Sequence, residues 1–168
     1  MTHAKDNFIA WLKSAHAMEE QAITSLTAQT RRLENYPDLK ARMLEHLEET
    51  RSQADALQSL LNDFSGAPST LKDIAGRIAA TVHGIPALVM NDEVVKFSAQ
   101  AYAFEHLEIA TYRMLIAAAD ELGETEAQAV FERILAEEMS MARWLEDNLD
   151  PITRVFLMRD ERDLQAKR

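Results

Sequence analysis

The segment AYAFEHLEIATY, residues 101–112, decides the fold and raises the question of function. It contains neither Gly nor Pro and has the composition of the middle of a long helix. Its inward positions, at helical spacing, are Ala101, Glu105, Glu108 and Tyr112. Two carboxylates therefore stand where a helix that faces a core normally carries Leu or Val. An isolated buried carboxylate is costly, so it is normally paired, protonated or bound to a metal.

The composition of the whole chain predicts a single all-α domain. The 168 residues include only four Gly and four Pro and are rich in Ala, Leu, Glu and Gln, which favour long helices. No convincing alternation of β-branched residues occurs, so a sheet is not expected. The length suits one domain with a sizeable core, and we expect it to span residues 1–168.

Charge and residue usage exclude several classes of function. The formal net charge is −10, and a strongly acidic protein repels nucleic acid and anionic membranes, so neither is expected as a partner. The absence of Cys excludes disulfides, thiolate metal sites and Cys nucleophiles. The first residues lack the apolar region of a signal peptide, and no apolar run approaches the roughly 18 residues of a membrane span. We therefore expect a cytoplasmic protein.

The apolar periodicity predicts four long helices and two short ones. The first two long helices are joined by a short turn at Pro37, so they should be antiparallel neighbours. A crossover over residues 63–91 would contain a short helix and let the third long helix run parallel to the second, as in ferritin-like four-helix bundles. A short C-terminal helix should follow Pro151. The predicted helices are approximately 6–33, 38–62, 69–83, 92–122, 125–149 and 151–160.

Each long helix carries a Glu near the middle of its inward face. Because the helices are similar in length, these carboxylates should converge in one polar layer. Unneutralised carboxylates in one layer would repel one another, at a cost of several kcal/mol each. Two divalent cations would remove that cost, and bundle-core carboxylate and His ligands suit iron, the preferred metal, or manganese. The predicted ligands are Glu19, His46, Glu49, Glu105, Glu108 and Glu138.

Other interpretations of these residues remain open. A single Glu in a helix stripe can lie at the boundary with its carboxylate in water, and the whole set could form a surface groove or a protonated cluster. His46 could be a hydrogen-bonded boundary histidine. Tyr112 is a core aromatic or a donor to a ligand carboxylate. His106 follows Glu105 but points about 100° away on a helix, which favours an interface, or a contact with a metal-ligating side chain, over a role as a metal ligand itself.

Four short motifs, in this order, resemble the bacterial YciE/YciF family of ferritin-like, stress-associated proteins. They are MEEQ at 18–21, HLEET at 46–50, EHLEIATY at 105–112 and LAEE at 135–138. The resemblance covers nearly the whole chain to about residue 149. It implies a four-helix bundle with a di-metal centre, a homodimer and, if the protein is an enzyme, oxidation of Fe(II) by O₂ or peroxide.

One departure from the wider di-iron pattern separates two hypotheses. Glu-x-x-His is absent from the chain, and the second helix carries the reverse order, His46-x-x-Glu49. The residue three after Glu138 is Met141, a poor ligand for a hard iron ion. The first hypothesis is a di-metal protein with ferroxidase-type activity. The second is a non-enzymatic stress or structural protein that acts through self-association or a protein partner, using Ile152, Val155 and Phe156.

Overall fold

The computed structural model of the chain describes residues 3–65 and 93–162. These residues form four helices: α1, His3–Thr30; α2, Pro37–Ser65; α3, Glu93–Leu122; and α4, Thr125–Glu161. No strand occurs within the described residues, which confirms the all-α prediction. The predicted short helix at 69–83 and nearly all of the predicted crossover lie outside the described residues.

The helices form two hairpins that pack side by side. α1 packs on α2 and α3, and α4 packs on α3 and α2. Ion pairs from Lys5 to Glu124 and from Arg32 to Glu93 show that α1 and α3 run antiparallel. Because α2 is also antiparallel to α1, α2 and α3 are parallel, which is the predicted orientation of a ferritin-like bundle. No described helix is both long and apolar enough to cross a membrane.

Gly123 ends α3 and makes the turn into α4 short. Its φ of 70° lies in the left-handed region, where Gly carries no Cβ penalty. The Gly123 N–H donates to the Asp120 carbonyl, and the Glu124 N–H donates to the Ala119 carbonyl. These two bonds are the Schellman pattern of a helix C-terminus. The turn therefore provides hydrogen-bond donors for two of the last carbonyls of α3, and α4 begins directly after it.

The structure differs from the sequence prediction at Pro151, where α4 continues without a break. Proline lacks an N–H, so the helix loses one hydrogen bond there. Ile152 and Phe156 nevertheless remain buried in the core of the bundle. Burial of this apolar face compensates for the lost bond. Of the three residues proposed as a partner surface, only Val155 is exposed.

The core consists of two apolar clusters with a polar layer between them. The upper cluster contains Phe8, Leu12, Leu61, Tyr112 and Phe131 among others. The lower cluster lies near the α1–α2 turn, and its largest members are Tyr36, Met43, Phe97, Leu145 and Phe156. The polar layer lies about midway along the helices, and its buried members include Glu19, His46, Glu105, Glu108 and Glu138.

Candidate metal centre

Four side chains from three helices converge in the polar layer. α2 contributes His46, α3 contributes Glu105 and Glu108, and α4 contributes Glu138. One potential ligand atom from each lies within 4.8 Å of the others, and all four residues are buried. The structure therefore brings together four of the six predicted ligands in one group, which we call the four-residue centre.

His46 is oriented by hydrogen bonds on its outer side. Its Nδ1 lies 2.9 Å from Oε2 of Glu49, while its Nε2 lies 3.4 Å from Glu105 Oε2 and 3.6 Å from Glu138 Oε2. The Thr50 hydroxyl also donates to the His46 carbonyl at 2.8 Å. A carboxylate on one imidazole nitrogen fixes the tautomer and directs the other nitrogen towards a metal. Nε2 is therefore the atom that His46 offers to the centre.

Glu49, predicted as a ligand, lies outside the four-residue centre and is 28% exposed. Its carboxylate bridges His46 and Arg42, with Arg42 Nη1 at 3.3 Å. The hydrogen bond from His46 is the main cause that holds the pKa of Glu49 below its usual value, and Arg42 acts in the same direction. The structure thus places Glu49 where it can orient His46 and keep a negative charge behind the ring.

Glu19 from α1 lies beside the four-residue centre and is fully buried. It accepts a hydrogen bond from the Tyr112 hydroxyl. Burial is the main cause that raises the pKa of Glu19 to about 7, although the bond from Tyr112 and the charge of His46 act in the opposite direction. Tyr112 therefore fills both roles considered for it, as a core aromatic and as a donor to a carboxylate of the layer.

Several buried carboxylate oxygens of the described residues have no hydrogen-bond partner. They are Glu19 Oε2, Glu105 Oε2, Glu108 Oε1 and both oxygens of Glu138. Buried polar atoms are nearly always hydrogen-bonded, and an orphaned group often indicates a water or an ion. Carboxylate oxygens with one imidazole nitrogen are a donor set suited to iron, manganese or zinc. The residues present therefore fit a divalent metal.

Protons neutralise the layer in the metal-free protein. Burial raises the pKa of Glu138 to about 10 and that of Glu108 well above its usual value. Burial alone would lower the pKa of His46, but the carboxylates of Glu105 and Glu49 overcome it and raise the pKa to about 10. The layer therefore contains an imidazolium and protonated carboxyls at neutral pH. Because metal ligands must be deprotonated, a metal would have to displace these protons.

Gln53 of α2 is a fully buried polar residue that was not predicted from sequence. Its amide nitrogen donates to Glu137 at 2.9 Å, and its Oε1 is buried without a hydrogen-bond partner. The signal that could have found it is its position seven residues after His46, on the same face of α2. His106 is exposed and stacks edge-on against Tyr102 at 4.6 Å, outside the four-residue centre.

Comparisons with known proteins agree with this fold. A family model described as a domain of unknown function, DUF892, matches residues 3–158. A solved protein from Xanthomonas campestris is 37% identical, covers 95% of this chain and 99% of its own, and has a TM-score of 0.80. The E. coli stress protein YciF is 24% identical over 89% of this chain and 96% of its own, with a TM-score of 0.68.

A more distant similarity links the chain to a bacterioferritin from Desulfovibrio desulfuricans, whose structure is described with a diiron site. The identity is 22% over 90% of this chain and 83% of the bacterioferritin, and the TM-score is 0.68. At this identity the comparison shows the fold alone. The family match and the similarity to YciF confirm the predicted resemblance to the YciE/YciF family. The similarity to the bacterioferritin confirms the predicted ferritin-like bundle.

Proposed function

Given that this chain belongs to the DUF892 family and has a ferritin-like fold, we propose that it is a carboxylate protein that binds two divalent metal ions, with iron preferred and manganese as the alternative. The observation that carries the proposal is the set of buried carboxylate oxygens without hydrogen-bond partners. Those of Glu105 and Glu138 lie 3.4 Å and 3.6 Å from His46 Nε2. An apolar core does not normally retain such a set.

The first ion would be held by the four-residue centre. Its three carboxylates and one imidazole come from three helices, so the bundle itself fixes their relative positions. Glu49 would hold the His46 ring with Nε2 inward and raise its basicity. The apolar clusters above and below the layer would lower the local dielectric constant, which strengthens electrostatic attraction to a cation.

A second ion would use Glu19 and Glu108. Glu19 Oε2 and Glu108 Oε1 are both buried without hydrogen-bond partners, and the charge of Glu19 helps to raise the pKa of Glu108. The Tyr112 hydroxyl would hold the remaining oxygen of Glu19 in place. The bacterioferritin with the same fold is described with a diiron site, which supports a two-ion centre.

The reaction that such a centre would support is oxidation of Fe(II), the substrate, by O₂ or peroxide. Bound iron would supply the redox chemistry. The chain would supply binding of the ion, orientation of His46 by Glu49, and largely apolar surroundings. Two metal ligands that are common in other di-iron proteins, the His of Glu-x-x-His motifs, are absent here, and Met141 occupies one of those positions. The ligands that are present therefore support metal binding more strongly than catalysis.

Anaerobic titration with Fe(II) tests metal binding directly. We expect two equivalents to bind the full chain, and the double variant Glu108→Gln/Glu138→Gln to lose this binding. Glu132→Gln, on the exposed face of α4, is the matched control and should bind normally. Admitting O₂ to the loaded protein should then generate Fe(III). Binding of less than one equivalent would refute the metal proposal, and binding without oxidation would reduce it to metal binding alone.

A second candidate is self-association through the C-terminal end of α4. Val155, Leu157 and Met158 are exposed there, at 37%, 53% and 42%. Val155 and Met158 lie one turn apart on one face of the helix, next to Leu157 on the adjacent face, and an exposed apolar surface of this kind suits a homodimer interface. Sedimentation of Leu157→Glu/Met158→Glu should show half the mass of the wild type, and equal masses would exclude this surface. Truncation at Asp150 is unsuitable, because it would remove Ile152 and Phe156 from the lower cluster.

A further inference from the structure

A cavity of about 450 Å³ lies between α1 and α3 and reaches the metal centre. At its inner end it is lined by His46, Glu105 and Glu108, all buried. At its outer end it is lined by Ser25 and Gln100, both exposed. The cavity therefore connects the surface with the layer of carboxylates. Its volume lies within the range of about 300–1,000 Å³ that is usual for small-molecule sites.

The walls of this cavity are mainly apolar and aromatic. Leu26, Phe97, Ala101 and Phe104 line it between the two ends. Among the described residues that line it, ionisable side chains occur only at the inner end, and the other polar ones are neutral amides and a hydroxyl. Walls of this kind offer little to a hydrated cation, which favours carboxylates or carbonyls along its path. They suit an organic molecule with an apolar body.

The size of the cavity also argues against a simple inlet for O₂ or Fe(II). One water occupies about 30 Å³ in the liquid, so the space far exceeds that needed by a diatomic gas or a single ion. Two aromatic rings in the walls provide faces and edges for another ring. The inner end, once it holds a metal, would attract an anionic oxygen. The chemistry thus changes along the cavity from apolar walls to a metal ion that could coordinate an oxygen ligand.

We propose that this cavity binds a small organic molecule with an aromatic body and one carboxylate or phenolate group, which reaches the metal centre. The inference rests on the proposed function, because coordination of the anionic oxygen requires the metal. It extends that function from metal binding to recognition of an organic ligand. Benzoate has the required ring and carboxylate and serves as the probe.

Titration of the Co(II)-loaded full chain with benzoate tests the proposal. Benzoate should change the visible spectrum of the bound cobalt and should bind at least about tenfold more tightly than acetate, which lacks the ring, or benzyl alcohol, which lacks the charge. Equal affinities for benzoate and acetate would overturn the role of the walls. Competition by a second protein copy at the mouth would appear as weaker benzoate binding at higher protein concentration, and it would also overturn the proposal.

Two variants place the ligand in the cavity. Ser25→Phe fills the outer end and Ala101→Phe fills the middle, and each should weaken benzoate binding at least about tenfold while cobalt still binds. Ser14→Phe lies on the same face of α1 three turns away, and Ala110→Phe lies on the exposed face of α3, so both controls should bind benzoate normally.

The outcomes distinguish the proposal of an organic ligand from the proposal of metal binding. If cobalt binds but benzoate leaves its spectrum unchanged, the cavity proposal fails and the metal proposal stands. If cobalt does not bind, both fail. If both variants fold, bind cobalt and retain full affinity for benzoate, the probe reaches the metal by another route and this cavity is not its site.

Discussion

The upper cluster and the polar layer are built on the same helices, yet they solve the problem of burial differently. In the upper cluster, Phe8 packs edge-on against Phe64 at 5.3 Å and Phe131 at 6.2 Å. These rings stabilise one another through edge-to-face aromatic contacts. In the layer below, Glu108 and Glu138 are as deeply buried, but some of their carboxylate oxygens have no hydrogen-bond partner. The upper cluster is complete by itself, whereas the layer requires protons or cations from solution.

The largest expected effect is on the upper cluster. Phe8→Ala should lower the free energy of unfolding by about 3–5 kcal/mol, because it removes a fully buried ring and leaves a cavity. Urea denaturation should show the same loss in metal-free and metal-loaded protein. Asn7→Ala, at an exposed neighbouring position, should change stability by less than about 0.5 kcal/mol. A loss that depends on metal would contradict the independence of the two regions.

The polar layer should make the metal-free protein less stable as the pH rises. The pKa of Glu19 is raised from 4.5 to about 7 and that of Glu138 to about 10, so the folded chain binds more protons than the unfolded chain above pH 4.5. Each such proton corresponds to about 1.4 kcal/mol per pH unit, or about 3 kcal/mol between pH 5 and 7. His46, raised from 6.5 to about 10, adds a loss of the same sign above pH 6.5.

Metal should oppose this trend. Because the ligands must lose their protons, the stabilisation by Mn(II) or Fe(II) should grow as the pH rises. Thermal unfolding at several pH values, with and without metal, measures both slopes. A metal-free protein whose stability rises between pH 5 and 7 would show that the carboxyls of the layer are not held in the protonated form.

Replacing one carboxylate of the layer by an apolar residue should make the layer, like the upper cluster, stable without protons or metal ions. Glu108→Leu should stabilise the metal-free protein by about 1–3 kcal/mol, because Glu108 is buried among other carboxylates and one of its oxygens has no partner. The same variant should lose stabilisation by metal. Chemical denaturation with and without Mn(II) checks both results, and a destabilised metal-free variant would mean that Glu108 has a favourable partner in the fold.

The smallest expected effect concerns the orientation of His46. Glu49→Gln should reduce metal affinity about 10- to 100-fold without changing the number of ions bound, because Glu49 contacts the outer nitrogen of the ring. Glu45→Gln is the control, because Glu45 also contacts Arg42 Nη1, at 3.1 Å, but its side chain is exposed. Loss of a whole ion in Glu49→Gln would instead identify Glu49 as a ligand, as predicted from sequence.

The helical stripes made most of the fold predictable. The spacing of apolar residues indicated four long helices, and a Glu in each stripe indicated a layer at mid-height. Glu105, Glu108 and Glu138 lie there because helix geometry fixes the direction of a side chain to within one face. The short turn at Pro37 indicated the hairpin of α1 and α2, and the close spacing of the predicted helices 92–122 and 125–149 indicated the hairpin of α3 and α4. The structure contains both hairpins.

Finer features depend on contacts that a single-helix pattern does not contain. His46 and Glu49 share a face, but rotation of the imidazole decides that Glu49 meets Nδ1 while the centre meets Nε2. Pro151 predicted a break, yet burial of Ile152 and Phe156 keeps α4 continuous. Both outcomes are set by tertiary packing.

Diffraction from crystals loaded with Mn(II) or Fe(II), with anomalous density recorded for the metal, tests the central claim most directly. We expect one peak within bonding distance of His46 Nε2 and the carboxylates of Glu108 and Glu138. A second peak should lie near Glu19, about 3.5–4 Å from the first, the spacing of two-metal sites. Stoichiometric loading with no peak in the polar layer, or with peaks only at exposed carboxylates, would contradict the account.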